Sequence, residues 1–414
     1  MYITYYDSYV VLSKVFQGGA FIKQAIADAR MRETTKNASI KICYGVLDKN
    51  VTLDYIIKKL CEKSPKTPIK IILKIGLYAI KYLKTAPYAV TDACVTLCKK
   101  LGKGGAAGFV NATLRNFSEN GVKFPENGVN ALSVKYSYPE FAAELLIADY
   151  GNAVAENIMS ADEEKTFVRF NKGVNGEEYL EKAGKTYCKT PFSNLYEVKN
   201  FVVDDGFYNG LYTFQSIGSV AIAEAAKGKG KLLDVCAAPG GKSVYLSDYY
   251  DEVLSLDIHP HRVELIKAYA ERMKKNNVTA ALNDGTVFNP SFFEKFDAVL
   301  CDAPCSGFGV IKENPDIKIN RKREDIDNLS ELQYKILSVS ANYVKSGGML
   351  VYSTCSVFQK ENSSVAERFL KNHGDFYITD VKSELGYYKV GIGLQFLPHI
   401  SYGAGFYLAV FKKK

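Results

Sequence analysis

The sequence predicts a helical N-terminal region followed by an α/β region built on a parallel, doubly wound sheet. Apolar residues recur at three- and four-residue steps through residues 1–135, as amphipathic helices require. From residue 216, short apolar runs alternate with helical stretches, which is the pattern of βαβ units. With 414 residues, 47% hydrophobic and 24% charged, the chain is expected to form several globular domains rather than a disordered or collagen-like protein.

The helical region is divided by proline-containing turns. Lys63–Pro68 and Lys84–Pro87 are expected to separate helices, because proline disfavours a helical conformation in the residue before it. A loop of small residues, Gly102–Gly108, precedes the segment Phe109–Phe117, and a further helix-like run covers Ala142–Met159. Mixed short elements are expected from there to about residue 215.

The positive charge is concentrated in this helical region. Residues 1–150 hold 21 Lys and Arg against 12 Asp and Glu, a net charge of +9, whereas the remaining residues carry −1. Such an imbalance indicates a module that binds a polyanion, although solvated lysine faces on helices explain it equally well.

Composition also predicts the cellular compartment of the protein. The most apolar stretch, Ile69–Leu83, is interrupted by Lys70, Lys74 and Lys81 and falls short of the roughly 20 apolar residues of a membrane span. No secretory signal precedes it, and nine cysteines without framework spacing indicate a reducing compartment. We therefore expect a cytoplasmic protein without a membrane anchor.

The α/β region is expected to carry the chemistry at the carboxyl ends of its strands, where ligands of such sheets bind. The predicted strands are Leu232–Val235, Val253–Leu256, Val278–Leu282, Phe296–Cys301 and Met349–Tyr352.

The loop after the first predicted strand is rich in glycine and precedes a helix. It reads Cys236-Ala237-Ala238-Pro239-Gly240-Gly241-Lys242, which matches neither the P-loop spacing nor GxGxxG. Glycines let a ligand approach the backbone, and the free amides of the helix start favour an anionic group. Acids at the next two strand ends, Asp257 and Asp284, favour a ligand that contains adenosine.

The last two predicted strands each lead to a cysteine. Cys305 follows the fourth strand and Cys355 the fifth, so the two thiols are expected to meet in one cleft if these strands are neighbours. A single cysteine is more often a buried, inert residue, but this paired placement favours a catalytic role. Cys94 and Cys98 have helical spacing with no histidine pair nearby, so packing is favoured over zinc and no metal site is expected.

The strings CAAPGGK, DAPCSG and STCS occur in this order and closely resemble the RNA (cytosine-5) methyltransferases that use S-adenosylmethionine. The longer strings Asp302–Lys318 and Glu331–Arg368, the latter containing ELQ and KEN, strengthen the match. Leu73–Leu83 and Ala106–Asn116 resemble the NusB-type RNA-binding domain. The combination resembles the bacterial RsmB/Sun/Fmu family, which methylates a cytosine of 16S ribosomal RNA.

This resemblance implies a domain organisation and a set of roles. It implies a NusB-like domain over 1–135, a connecting RNA-binding subdomain over 136–215 and a Rossmann-like methyltransferase domain over 216–414. Residues Cys236–Lys242 would hold the methionine end of the cofactor, Asp257 the ribose and Asp284 the adenine side. Asp302 would border both the cofactor and the target base.

The resemblance also assigns the two thiols, which sequence chemistry alone leaves interchangeable. C5 of cytosine is too poor a nucleophile to be methylated directly, and a thiolate that adds to C6 activates it. By resemblance, Cys355 is the nucleophile and Cys305 assists proton removal and product release.

Two other functions remain open at this stage. The same chemistry on transfer RNA is one, and a non-catalytic NusB-like RNA-binding or ribosome-assembly factor is the other, although the intact cysteines argue against it. We expect a monomer whose partner is small-subunit ribosomal RNA. Three positions depart from the family pattern, Ser216, Ile319 and Ala404, and they put the mode of RNA docking in question.

Overall fold

The computed structural model describes residues 1–161 and 165–414, which fall into two compact units. The first unit comprises Met1–Ser160 and the distant segment Ile311–Lys322, and the second comprises Ala161–Val310 and Arg323–Lys414. The division of the chain into three domains at residues 135 and 215 stays a prediction.

The first unit is helical, as the apolar periodicity predicts. Its helices in Met1–Ser160 are α1 (Tyr2–Gly18), α2 (Ile22–Ala27), α3 (Glu33–Asp48), α4 (Asn50–Leu60), α5 (Thr67–Lys81), α6 (Pro87–Lys100), α7 (Ala107–Asn120), α8 (Gly128–Tyr136) and α9 (Glu140–Ser160). The two predicted proline turns are confirmed, because Pro68 and Pro87 lie in the first turns of α5 and α6. Helix α5 is the centre of the core, with Ile72, Leu73 and Leu77 fully buried.

The segment Ile311–Lys322, which contains the short helix α15 (Ile317–Asn320), is fixed to the end of α3 by a buried ion pair. The ammonium group of Lys318 lies 2.6 Å from the Asp48 carboxylate and also donates to the Asp48 carbonyl oxygen at 2.8 Å. Lys49 and Lys312 approach the same carboxylate at 2.7 and 3.8 Å. Burial lowers the pKa of Lys318 to about 8, although Asp48 opposes the shift.

The second unit begins with a small antiparallel sheet. Its elements are β1 (Phe167–Phe170), α10 (Gly176–Lys182), β2 (Tyr187–Lys189), β3 (Leu195–Val198), α11 (Asp205–Tyr208) and β4 (Tyr212–Phe214), and the strand order is β2-β3-β1-β4. Aromatic rings, among them Phe170, Tyr196 and Tyr212, fill the core of this sheet.

The remainder of the second unit is a mixed sheet with helices packed on it. Its elements are α12 (Ile217–Ala225), β5 (Lys231–Asp234), α13 (Gly241–Leu246), β6 (Glu252–Asp257), α14 (Pro260–Arg272), β7 (Val278–Leu282), β8 (Phe296–Asp302), α16 (Arg323–Ala341), β9 (Val344–Thr354), α17 (Ser363–Asn372), β10 (Phe376–Ile378), β11 (Tyr388–Lys389), β12 (Leu394–Phe396) and β13 (Phe406–Lys413). The five predicted strands correspond to β5 to β9. Helices follow β5, β6 and β8 as predicted, whereas a single 3-10 turn, Pro290–Phe292, lies between β7 and β8.

The sheet departs from the predicted all-parallel arrangement at one side. In the described part of the chain the order is β11-β12-β13-β9-β8-β5-β6-β7, with β10 also paired to β13. Strands β5 to β9 are parallel, whereas β10 to β13 pair antiparallel. The physical reason is local: short connections link β11, β12 and β13, and these cannot make the crossover that parallel neighbours require.

The small sheet packs against the end of α14 within the second unit. Asn171 donates to the carbonyl oxygen of Met273 at 3.0 Å, and Arg272 donates to the carbonyl oxygen of Phe207 at 2.8 Å. The guanidinium of Arg272 also lies 3.9 Å from the centre of the Phe207 ring. These contacts fix the sheet next to the helix that follows β6.

The buried ion pair gives a stability prediction. In Asp48→Asn, the Lys318 ammonium remains buried without its counter-charge, so we expect a loss of about 3–5 kcal/mol at neutral pH. The loss should shrink near pH 9.5, where Lys318 is largely neutral in the folded protein. Urea unfolding followed by circular dichroism measures both values. Glu33→Gln is the control, since Glu33 is 86% exposed and lies 3.6 Å from Lys36; a similar loss in this variant would contradict the prediction.

Candidate active site

The candidate site lies at the carboxyl ends of β5, β6, β8 and β9. Parallel pairing of β8 with β9 sets Cys301 opposite Tyr352 and Asp302 opposite Ser353. The chain therefore leaves both strands at the same edge of the sheet, and the loops that carry Cys305 and Cys355 start side by side.

The glycine-rich loop forms a tight turn between β5 and α13. Gly240 has φ +104° and precedes the first residue of α13, so a side chain there would be strained. A Cβ at Gly240 would also lie 3.3 Å from the Ile266 side chain of α14. No side-chain hydrogen bond from Gly240 caps the N-terminus of α13, whose first amide groups lack partners within the helix.

Asp234, the last residue of β5, is a buried acid below this loop. Its Oδ2 accepts a hydrogen bond from the Ser243 hydroxyl at 2.6 Å, and its Oδ1 is buried without a partner among the described residues. Burial raises the pKa of Asp234 to about 7, and the neighbouring Asp302 adds to the shift. Asp234 lies in the first predicted strand, and no role is predicted for it from the sequence.

Lys242 and Asp302 link the glycine-rich loop to the thiol side of the site. The Lys242 ammonium lies 2.6 Å from Asp302 Oδ2, and the Ser353 hydroxyl donates to Asp302 Oδ1 at 2.7 Å. Burial alone would lower the pKa of Lys242, but the charges of Asp302 and Asp234 outweigh it and raise the pKa. Lys242 is therefore a permanent cation here, and it holds the Asp302 carboxylate in a fixed orientation.

The two acids predicted to meet the adenosine lie at the ends of β6 and β7. Asp257 is 5% exposed; its Oδ1 accepts from the His259 amide at 2.9 Å, and Arg262 approaches Oδ2 at 3.9 Å. Asp284 accepts from the amide and the hydroxyl of Thr286, and these hydrogen bonds hold its pKa below the usual value. Between the two acids, the amide nitrogen Nδ2 of Asn283 is buried without a partner in the described structure.

The two thiols meet as their strand positions predict. Cys305 Sγ and Cys355 Sγ are 2.6 Å apart, and the Cys355 amide donates to Cys305 Sγ at 3.2 Å. The hydrogen bond with Cys355, then burial, then the charges of Glu361 and Asp302 raise the pKa of the Cys305 thiol well above its ordinary value. The raised pKa favours the protonated form of the Cys305 thiol.

A backbone contact behind Cys355 requires two glycines. The Gly309 amide donates to the Cys355 carbonyl oxygen at 2.9 Å, and the Gly405 amide donates to the Gly309 carbonyl oxygen at 2.8 Å. A Cβ at Gly309 would lie 1.9 Å from the Gly405 oxygen. Backbone hydrogen bonds thus join the loop after Cys305, the loop after Cys355 and the start of β13.

The three departures from the family pattern serve local structure. Ser216 caps α12 by accepting from the Ser219 amide at 3.3 Å, and Ala404 is buried in the core of the sheet. Ile319 packs against the core of the helical unit. Two further residues that were not predicted, Gln333 and Glu361, lie buried beside the thiols; the strings ELQ and KEN contained them, but only the fold brings them to the site.

Two expectations from the composition can be compared with the described residues. Cys94 and Cys98 are both fully buried in the helical core, as packing requires. Residues 1–161 and 165–414 contain no group of three or more His, Cys, Asp or Glu that could hold a metal ion. Over the same residues, no helix is both long enough and apolar enough to cross a membrane.

The raised pKa of Asp234 predicts a pH-dependent stability. The folded protein keeps a proton that the unfolded chain loses between about pH 4 and 7, so wild-type stability falls as pH rises through this window. Asp234→Asn mimics the protonated acid, and the variant should gain about 1 kcal/mol over the wild type for each pH unit. Thermal unfolding at pH 5, 6, 7 and 8 measures the difference. If the stabilities of the two proteins change with pH in the same way, the pKa of Asp234 is not raised by folding and the prediction is wrong.

Two family profiles match the chain, one in its helical N-terminal part and one in its C-terminal α/β part. The profile of the NusB family matches residues 10–119, and that of 16S rRNA methyltransferase RsmB/F matches residues 221–412. The first lies within the helical unit, and the second covers the mixed sheet and its helices.

Curated relatives match along nearly the whole length. The "Probable ribosomal RNA small subunit methyltransferase B" of Bacillus subtilis (strain 168) is 33% identical over 95% of this chain and 94% of its own. The "Ribosomal RNA small subunit methyltransferase B" of Photorhabdus laumondii is 28% identical over 97% of each chain.

Solved structures share the fold at lower identity. The crystal structure of PH0851 has a TM-score of 0.83 at 22% identity and covers 100% of this chain and 98% of its own. A methyltransferase homolog protein from Pyrococcus horikoshii has a TM-score of 0.61 at 24% identity, over 70% of this chain and all of its own. These likenesses confirm the predicted fold class, a NusB-like helical domain and a Rossmann-like methyltransferase domain. Given this fold and a relative of 33% identity over almost the entire chain, the protein belongs to the RsmB/F family of 16S rRNA methyltransferases.

Proposed function

We propose that this protein transfers a methyl group from S-adenosylmethionine to C5 of a cytosine in 16S ribosomal RNA, through a covalent bond between Cys355 and C6. The observation that carries the proposal is the pair of thiols 2.6 Å apart at neighbouring strand ends, with Asp302 and Lys242 linking them to the glycine-rich loop. The names of the relatives, which are small-subunit ribosomal RNA methyltransferases, support the choice of substrate.

The residues at the strand ends fit S-adenosylmethionine. The turn Cys236–Lys242 offers backbone amides to the carboxylate of its methionine part, and the Asp257 carboxylate can accept from ribose hydroxyls. The partnerless amide of Asn283, next to Asp284, offers a donor on the adenine side. The related structure of NSun6 from Pyrococcus horikoshii was solved with SFG, an analogue of this cofactor. When bound, S-adenosylmethionine supplies an electrophilic methyl group.

Cys355 is the nucleophile in this proposal. Its Sγ accepts the hydrogen bond of the protonated Cys305, which stabilises a thiolate at Cys355 after its own proton has left to solvent. Attack forms the bond between Sγ and C6, and the electrons of the C5–C6 double bond move toward C5. C5 then has the nucleophilic character that methylation requires.

Cys305 then completes the reaction. Its hydrogen bond to Cys355 is the largest cause of its raised pKa, and that cause disappears once Cys355 Sγ is bonded to carbon. Cys305 can then release its proton to solvent and accept the proton from C5. The electrons of the C5–H bond restore the double bond, the bond to C6 breaks, and its electron pair returns to Cys355 Sγ. Cys305 is again protonated and donates to the departing thiolate.

The target cytosine has to leave its stack to reach Cys355, so a flipped base or a single-stranded loop is needed. The excess of 21 basic over 12 acidic residues in positions 1–150 suits contact with RNA phosphates. We therefore assign the NusB-like domain to RNA binding, together with the connecting region 136–215.

The cofactor assignment can be tested at Asp257. Asp257→Ala removes the carboxylate that accepts from the ribose, so S-adenosylmethionine should bind more weakly by about 1.5–3 kcal/mol. Isothermal titration calorimetry measures the affinity. Glu264→Gln on α14 is the control, because Glu264 is 70% exposed and pairs with Lys267 at 2.9 Å. Equal affinities of folded Asp257→Ala and wild type would contradict the assignment.

The roles of the thiols can be separated by their variants. Cys355→Ala cannot form the bond to C6 and should be inactive without trapping RNA. Cys305→Ala should attack and methylate but release product slowly, so a protein–RNA species should survive denaturing electrophoresis. Nuclease digestion of the RNA from the wild-type reaction should yield 5-methylcytidine.

Cys188→Ala serves as the control because Cys188 is exposed; this variant should methylate RNA at the wild-type rate and trap no adduct. Trapping by Cys355→Ala but not by Cys305→Ala would reverse the two roles. Trapping by neither variant, with modest losses of stability only, is the result expected of two packing cysteines. Methylation of transfer RNA in place of 16S RNA would keep the chemistry and overturn the substrate.

A further inference from the structure

The buried carboxylate of Glu361 is unusual because its partners come from both thiol loops. Glu361 ends a single helical turn, Gln359–Glu361, between β9 and α17, and its side chain is fully buried. Its Oε1 accepts from the Ser306 amide at 2.8 Å, and its Oε2 accepts from the Ser306 hydroxyl at 2.6 Å. Oε2 also accepts from the Ser356 hydroxyl at 2.6 Å.

Ser306 and Ser356 directly follow Cys305 and Cys355 in the chain. One carboxylate therefore holds the residue next to each thiol, and the two serine hydroxyls lie 3.3 Å apart on it. A shift of either loop along its strand would break at least one of these charge-assisted hydrogen bonds.

Gln333 on α16 extends the same network. Its side-chain nitrogen donates to Glu361 Oε1 at 3.0 Å and to the Pro304 carbonyl oxygen at 2.9 Å. Pro304 directly precedes Cys305, so the Cys305 loop is held on both sides of the thiol. The Glu361 carboxylate thus accepts four hydrogen bonds among the described residues, three from Ser306 and Ser356 and one from Gln333.

The neighbouring Asn362 makes a useful comparison. Its side-chain nitrogen donates to the Ser356 carbonyl oxygen at 2.9 Å and to Gln395 at 2.7 Å. These contacts hold the Cys355 loop, and none of the hydrogen bonds described for this side chain reaches the Cys305 loop. The Glu361 carboxylate, by contrast, accepts hydrogen bonds from both loops.

We propose that Glu361 is a positioning residue that sets the separation of Cys305 and Cys355. The inference rests on the proposed function, in which the two thiols act in turn on one base. Glu361 touches neither sulfur through the hydrogen bonds described above, and it acts through the serines beside them. A carboxylate presents two charged acceptor oxygens to these four donors, whereas an amide in its place keeps one acceptor oxygen and requires the serine hydroxyls to turn from donors into acceptors.

The test is Glu361→Gln, which keeps the shape of the side chain. The probe is RNA with 5-fluorocytosine at the target position, together with S-adenosylmethionine. Because fluorine at C5 cannot be removed as a proton, the adduct on Cys355 accumulates and its rate of formation is measured on denaturing gels. We expect Glu361→Gln to form the adduct at least tenfold more slowly than the wild type, with the affinity for S-adenosylmethionine changed less than twofold.

A second measurement follows the thiol separation without RNA. Diamide takes two electrons and two protons from a pair of close thiols, which become a disulfide while diamide is reduced to the hydrazine. Mass spectrometry of alkylated protein should show the Cys305–Cys355 disulfide forming several-fold more slowly in Glu361→Gln. A residue that only stabilised the fold would lower the melting temperature and leave both rates unchanged in the folded protein.

Controls keep the outcomes distinct. Glu331→Gln lies on α16 near Gln333, but Glu331 is 65% exposed and pairs with Arg368, so both rates should equal those of the wild type. If Glu361→Gln does not fold, the double variant Ser306→Ala, Ser356→Ala removes the two hydroxyl links to Glu361 and should slow both reactions. Wild-type rates in a folded variant would overturn the positioning role. Absence of the adduct in the wild type would instead overturn the proposed function, and the diamide rates would still test the separation of the thiols.

Discussion

The parallel pairing of β8 with β9 is the constraint on which the rest of the site depends. Its register sets Asp302 opposite Ser353, and the hydroxyl of Ser353 bonds to the Asp302 carboxylate across the two strands. Because both strands end at the same edge, the loops after them begin within hydrogen-bonding distance. The meeting of Cys305 and Cys355 is a consequence of this register, and a slip by one residue would turn one loop away from the other.

Charge at the site is organised around three acids in different surroundings. Asp302 has a cationic partner, Lys242, and joins the glycine-rich loop to the thiol strands. Asp234 accepts from the Ser243 hydroxyl, and its burial raises its pKa to about 7. Glu361 is fully buried, and its carboxylate accepts four hydrogen bonds. Burying a carboxylate is unfavourable unless donors or a counter-charge compensate, and each of these acids satisfies that condition to a different degree.

The segment that follows the Cys305 loop is bound to the helical unit by an ion pair. Residues Ile311–Lys322 belong to the helical unit, where Lys318 is buried against Asp48 at the end of α3. The chain therefore passes from the thiol loop, at Val310, directly into a segment fixed by a buried ion pair.

The sequence by itself determined the fold class, the five parallel strands and the glycine-rich and cysteine-containing loops, because periodicity and motifs are local properties of the chain. It also placed Cys305 and Cys355 at strand ends that should be neighbours. Tertiary structure decided the antiparallel strands β10 to β13, the burial that raises the pKa of Asp234, and the position of Ile311–Lys322 in the helical unit. The tertiary structure also brought Gln333, on helix α16, and Glu361, on a single helical turn, close to the thiols. The motif strings do not show that these two residues are neighbours. Burial and long-range hydrogen bonds depend on which segments pack together, and no local pattern in the chain encodes that.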